Sequence, residues 1–192
     1  IPAVREGVAR YTFDRTGVEV SPDHVLVVPG GKVTMFAAIL MMGEPGAQIL
    51  YPDPGFPIYR SMIEFTGATP VPIPITQANG FAFKAQDVLD RITAQTRLII
   101  INSPANPTGG VTPKAEIDAL VAGLEAHPNV AILSDEIYER MTYDARGPAD
   151  RHISLLTYPS IRDRLLVLPV LLRGELGQDR VRARRALAEH LG

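Results

Sequence analysis

Cysteine is missing from the sequence, and lysine and histidine are scarce. The first absence excludes disulfides, thiolate nucleophiles and cysteine-bound zinc, and leaves a cytoplasmic setting as the expectation. The histidines, His24, His127, His152 and His190, are scattered at no metal-ligand spacing, so no metal is expected. Long apolar runs are lacking as well. The longest, Leu165 to Leu172, is too short to span a bilayer, and Ile1-Pro2-Ala3-Val4-Arg5-Glu6 lacks the apolar segment of a signal peptide, so no membrane partner is expected. A net charge of −2 over 192 residues supplies no general attraction to nucleic acid. Near the end, Arg180, Arg182, Arg184 and Arg185 interleave with apolar residues but with no aromatic, which reads as a solvated helix face rather than a nucleic-acid site. The chain opens on Ile1 rather than Met, which points to missing upstream sequence.

What is present is 46% hydrophobic residues, enough to bury a sizeable core. Val4, Val8 and Tyr11 recur at helical spacing up to Arg15, and Gly17 closes that helix. Val25-Leu26-Val27-Val28 reads as a short strand stopped by Pro29-Gly30-Gly31. Lys32 to Met42 reads as a helix apolar on nearly every side, as burial against a sheet demands. A strand over Gln48 to Tyr51 and a helix from Tyr59 to Phe65 follow. Val71 to Ile75 looks extended, but its prolines cannot donate to a ladder, which makes it an edge or exposed strand. Val88 to Ile92 is a short helix and Leu98 to Ile101 a buried strand. Ile117, Leu120, Val121 and Leu124 form a helix stripe, Val130 to Leu133 a second buried strand, and Leu165 to Leu168 one more. Repeated βα units with continuous apolar strands predict an α/β fold, a mostly parallel sheet with helices on both faces.

The chemistry gathers at strand ends, where open α/β sheets bind ligands. After Leu98 to Ile101 comes Asn102-Ser103-Pro104-Ala105-Asn106-Pro107-Thr108-Gly109-Gly110, a loop stiffened by proline, freed locally by glycine and carrying asparagine amides. Gly30-Gly31-Lys32 opens a helix whose backbone N–H groups suit a phosphate. Asp135 closes a hydrophobic strand, where a carboxylate is costly unless a cation or several donors pair it. Tyr138, three residues on, would share one side of a first helical turn and could bond an adjacent oxygen. Phe56 offers an apolar ring for stacking on a flat ligand. Singly, each has a plain alternative: a helix N-cap for Asp135, core packing for Phe56 and Tyr138. Together, phosphate, cation, phenolic oxygen and flat ring describe pyridoxal phosphate. A nucleotide P-loop and a G-x-G-x-x-G fingerprint are both absent around Lys32.

On Pro29-Gly30-Gly31-Lys32, Tyr51-Pro52-Asp53-Pro54-Gly55-Phe56-Pro57-Ile58-Tyr59, Asn102 to Gly110 and Ser134-Asp135-Glu136-Ile137-Tyr138, in that order, the sequence resembles the class I/II aminotransferases, fold-type I pyridoxal-phosphate enzymes. The similarity runs from the start to Leu168. The resemblance implies that Gly31 and Lys32 hold the cofactor phosphate through backbone amides and that Phe56 stacks on the pyridine ring. It implies further that Asn106 and Tyr138 bind the ring's phenolic oxygen and that Asp135 pairs with the protonated ring nitrogen. Amino acid and 2-oxo acid substrates and a homodimer in the complete parent are implied as well.

The resemblance stops at Pro169. The family's next strand leads to a Ser-Lys motif whose lysine holds the cofactor covalently. Here the corresponding slot falls near Arg173, an amine-free guanidinium, and Pro169-Val170-Leu171-Leu172 does not match. The lysines present, Lys32, Lys84 and Lys114, stand elsewhere. Residues 1–168 are therefore expected to be part of a cofactor-binding large domain, and residues 169–192 a divergent arginine-rich tail such as truncation, a frameshift or true divergence would leave. Two functional readings follow: an aminotransferase portion inactive as written, or a degenerate protein that binds the cofactor or pairs with a complete subunit.

Overall fold

Side chains one residue apart on a strand point to opposite faces, and this alternation sorts the core into two layers. The computed structural model describes residues 2–142 and 152–169. Within Gly30–Pro169, β1 (Gln48–Asp53), β2 (Thr69–Pro74), β3 (Thr96–Asn102), β4 (Ala131–Glu136) and β5 (Leu165–Pro169) form one sheet, every pairing parallel, in the order β2-β1-β3-β4-β5. Ile49 and Tyr51 of β1, Leu98 and Ile100 of β3 and Leu133 of β4 face α2 (Gly31–Met42) and α3 (Ile58–Phe65), which contribute Met35, Ala38, Ile39, Tyr59 and Ile63. Leu50, Ile99, Ile101 and Ile132 face the other way, onto α4 (Ala85–Leu89) and α5 (Lys114–Leu124) through Val88, Ile117, Leu120 and Leu124. Each such fully buried Ile or Leu contributes about 1.5–3 kcal/mol of hydrophobic stabilisation. The expected α/β architecture is the observed one.

The edge strand β2 shows how three prolines fit into a sheet. The N–H groups of Thr69 and Ile75 donate to Ala47 and Asp53 on the β1 side, each at 2.8 Å. Residues of the opposite parity, Pro70, Pro72 and Pro74, therefore sit where an N–H would point away from the sheet. The ladder to β1 loses nothing, and the free edge offers no donor to a stray strand.

The described part of the other unit, residues 2–29, contains α1 (Pro2–Thr16). Gly17, at φ +70°, closes it by donating to Phe13 O at 2.7 Å. Arg5 ties the helix to the following turn through Pro22 O at 2.6 Å and Asp23 at 2.8 Å. The strand expected at Val25 to Val28 does not form, and Leu26 is 76% exposed. Strand propensity is mostly packing against neighbours, and here no neighbouring strand is aligned with it among the described residues. No described helix is long and apolar enough to cross a membrane. The arginine-rich tail with Arg173, Arg180, Arg182, Arg184 and Arg185 lies outside the described residues.

Candidate active site

Because every strand runs the same way, the segments after β1, β3 and β4 all leave from one edge of the sheet. The chain places β2 on one side of β1 and β3 on the other. Loops leaving β1 and β3 diverge at this reversal, and the gap between them is the usual ligand crevice of an open α/β sheet. Phe56 follows β1, Asn106 follows β3, and Asp135 and Tyr138 come from the end of β4.

Alternation along β4 aims Asp135 at a set face. Ala131 and Leu133 face α2 and α3, so Asp135 faces them too, and it is 2% exposed. There the Tyr59 hydroxyl of α3 donates to Asp135 Oδ2, and Ile137 N donates to Oδ1 at 3.3 Å. Burial raises the carboxyl's pKa, while the Tyr59 hydrogen bond pulls it down. Tyr59 is itself pushed far up, by burial first and by Asp135 next, and so remains a neutral donor. Across the ladder Asn102 lies opposite Asp135; its Nδ2 donates to Asp135 O at 3.0 Å and its Oδ1 accepts from Asn106 N at 2.8 Å. Asn102 thus fixes the start of the Asn106 loop to the residue that carries the buried acid.

The remaining expected residues surround this acid. Asn106 Nδ2 donates to the Tyr138 hydroxyl at 3.3 Å, both side chains half-buried. Phe56 packs edge-on against Tyr59, with centroids 6.0 Å apart and planes at 80°. Lys32 Nζ stands 5.9 Å from the Phe56 centroid. Gly30, at φ +93°, turns the chain into α2, whose first turn receives no side-chain cap among the described residues; Val33 N donates to Gly30 O at 3.2 Å, and the N–H groups of Gly31 and Lys32 ahead of it suit an anion. Gly31 lies beside Leu168 and Ile137, which seats the start of α2 against the ends of β4 and β5.

One local expectation fails. Tyr138 does not sit on a first helical turn: β4 continues through Glu136 and a turn carries Tyr138, so the alternative reading of Asp135 as a helix N-cap fails with it. Glu136, of the opposite parity, points to the other face, where Oε1 accepts from Ser134 Oγ (2.9 Å), Ser154 Oγ (2.9 Å) and Leu155 N (3.1 Å), and Oε2 lies 3.1 Å from His152 Nε2. This clasp holds residues 152–155 under the strand end. Sequence reasoning missed Tyr59 and Asn102 as site residues. Both lie inside the quoted motifs, but one reads as a helix-stripe residue and the other as a turn residue. A cleft of about 470 Å³ lies at the opposite sheet edge around Arg97 and His127, away from this cluster.

Comparison with known proteins gives a consistent picture. The family model described as aminotransferase class I and II matches residues 1–168. The chain is 32% identical over 184 residues to the bifunctional aspartate aminotransferase and glutamate/aspartate-prephenate aminotransferase of Petunia hybrida, covering 88% of this chain and 38% of that protein. It is 31% identical over 166 residues to the arginine–pyruvate transaminase of Pseudomonas aeruginosa, covering 86% and 41%. Among solved structures it superposes on aspartate aminotransferase from Thermus thermophilus with a TM-score of 0.79 at 30% identity, over 88% of this chain and 42% of that one. N-Succinyldiaminopimelate aminotransferase from Mycobacterium tuberculosis gives the same TM-score and identity, over 88% and 43%. The chain thus spans about two-fifths of the length of the relatives it matches.

Proposed function

Since the chain belongs to the class I and II aminotransferase family, we propose that it forms the cofactor-binding part of a pyridoxal-phosphate enzyme whose complete form moves an amino group between an amino acid and a 2-oxo acid. The observation that carries this reading is the buried Asp135 carboxyl at a strand end, held by Tyr59 and Ile137 N while Asn102 bonds the same residue's backbone carbonyl, with the Asn106–Tyr138 pair and the Phe56 ring beside it. The donor set fits the group. Uncapped amides of Gly31 and Lys32 would hold the phosphate, and the flat face of Phe56 would take the ring. Asn106 and Tyr138 would bond the phenolic oxygen, and Asp135 would face the protonated ring nitrogen. When bound, the protonated ring supplies an electron sink for charge developing at the substrate's α-carbon. Asp135 keeps that proton in place, because a carboxylate beside the nitrogen favours the charged ring.

We read the covalent attachment as wanting, because Lys32, Lys84 and Lys114 lie outside the expected Ser-Lys position. Lys84 pairs with Glu116 at 3.0 Å and Lys114 with Asp118 at 2.6 Å, while Lys32 stands over Phe56. The chain is therefore expected to bind pyridoxal phosphate as the free aldehyde and to show background turnover with amino acids and 2-oxoglutarate. After borohydride treatment the reduced cofactor should dialyse away. Steady turnover through repurification, or cofactor retained on a lysine peptide, overturns the inactive reading.

A second reading, subunit interaction, rests on the outer face of α2 and α3. Val33, Leu40, Met41 and Phe65 are exposed there, Met41 and Phe65 to 71%, and Phe36 packs against the Phe65 ring with centroids 6.4 Å apart. Exposed large apolar side chains on neighbouring helices suit an association site. We assign it to a second copy of the chain, consistent with a homodimer of the complete protein. Sedimentation should find dimer for the wild type and monomer for Met41→Glu; a wild type monomeric at micromolar concentration removes the assignment.

A further inference from the structure

Tyr59 is completely buried, one helical turn beyond Phe56, and its backbone N–H donates to Phe56 O at 3.0 Å. A single turn therefore carries both the ring offered for stacking and the hydroxyl that donates to Asp135. Resting on the cofactor reading above, we propose that Tyr59 is the positioning residue that keeps Asp135 ionised and aimed at a cationic ring nitrogen, and that it couples this charge to the stacking position of Phe56.

The physical requirement is plain. A carboxyl as buried as Asp135 drifts toward its neutral form, and a neutral carboxyl cannot act as counter-ion to a protonated pyridine. A phenol that donates to the carboxylate stabilises the charged form. Ile137 N also donates to the carboxylate, at 3.3 Å, and lowers it after Tyr59; the side chains facing this pair do not substitute for the phenol. Glu136, next on β4, carries like charge and raises Asp135 further; Tyr138 likewise raises Tyr59. Asn102 is neutral and bonds the backbone carbonyl rather than the carboxylate. Tyr59 is thus the charge-stabilising side chain on Asp135 among the described residues.

The sign follows directly. Burial raises Asp135 and Tyr59 lowers it, so removing the hydroxyl must raise the midpoint at which Asp135 ionises. Between the wild-type and variant midpoints, the variant would lack the counter-ion that the wild type has.

Tyr59→Phe keeps the buried ring and its edge contact with Phe56 and removes only the O–H. Two measurements test the proposal. In the cofactor-free protein, the carbon-13 shift of the Asp135 carboxyl followed against pH should show a midpoint raised by about one pH unit in the variant. With pyridoxal phosphate added, the variant should bind about tenfold more weakly at pH 7. In an Asp135→Asn background the same substitution should cost less than about twofold, because the charge it acts through is gone. An unchanged midpoint overturns the proposal, and so does an equal loss of affinity in both backgrounds. If the wild type fails to bind pyridoxal phosphate, the cofactor reading falls by itself, while the cofactor-free titration still decides whether Tyr59 sets the charge of Asp135.

Discussion

Replacing Asp135 with asparagine is expected to weaken pyridoxal phosphate binding by about ten- to a hundredfold at pH 7, the size of one charge-assisted hydrogen bond of roughly 1.5–3 kcal/mol. The side chains are nearly isosteric, so the loss reports charge rather than shape. Stability should move little. The substitution removes a buried carboxyl whose ionisation burial disfavours, which offsets the acceptor taken from Ile137 N or from Tyr59. Because the folded-state pKa is raised, ionisation of Asp135 costs the native state stability as pH rises through that pKa, and the variant should lose this dependence. Affinity falling while the melting temperature holds would mark a residue retained for its ligand. Equilibrium titration by absorbance, with thermal unfolding on the same samples, measures both. Unchanged affinity would return Asp135 to a purely structural role.

Gly110→Ala should be the most damaging single change in the Asn106 loop. A Cβ there would lie 2.1 Å from Phe81 O, 2.4 Å from Phe81 C and 2.9 Å from Gly80 O, all backbone atoms that no rotamer change can clear. The loop is closed by Ala105 N donating to Gly110 O at 2.9 Å and Gly109 N donating to Ala105 O at 2.7 Å. Relief of the clash therefore passes straight to Asn106. Overpacking of this kind costs about 1–3 kcal/mol or more, which lowers the melting temperature by several degrees in a domain of this size. Cofactor affinity should fall with it. Gly109→Ala is the control: that residue has φ +76° but open space around it, so it should cost only about 1–2 kcal/mol of backbone strain and leave Asn106 in place. If the two variants are equally stable and bind equally, close approach at Gly110 is not what the loop requires. Of the two glycines, Gly109 is needed for its backbone angle and Gly110 for the space it leaves.

The sequence by itself determined the order and type of the main elements from Lys32 onward. Periodicity is imposed by backbone geometry, so the apolar runs at Leu98 to Ile101 and Val130 to Leu133 could be little else than buried strands. Proline chemistry likewise assigned Val71 to Ile75 to an edge, since a residue without an N–H survives only where none is needed. The motif order nominated Gly31, Lys32, Phe56, Asn106, Asp135 and Tyr138 without any structure. Local pattern failed where the outcome depended on what lies across space. Val25 to Val28 has strand-forming residues but no aligned strand among the described residues, and Asp135 precedes a turn rather than the helical turn expected under Tyr138. Tertiary structure alone decided that Tyr59 meets Asp135 from 76 residues away and that Asn102 reaches across to the same residue. It also turned Glu136 to the opposite face toward Ser154 and His152. Strand register and the parity of each side chain set these meetings. Register is chosen by the packing of the whole sheet against its helices, a quantity that no short window of sequence contains.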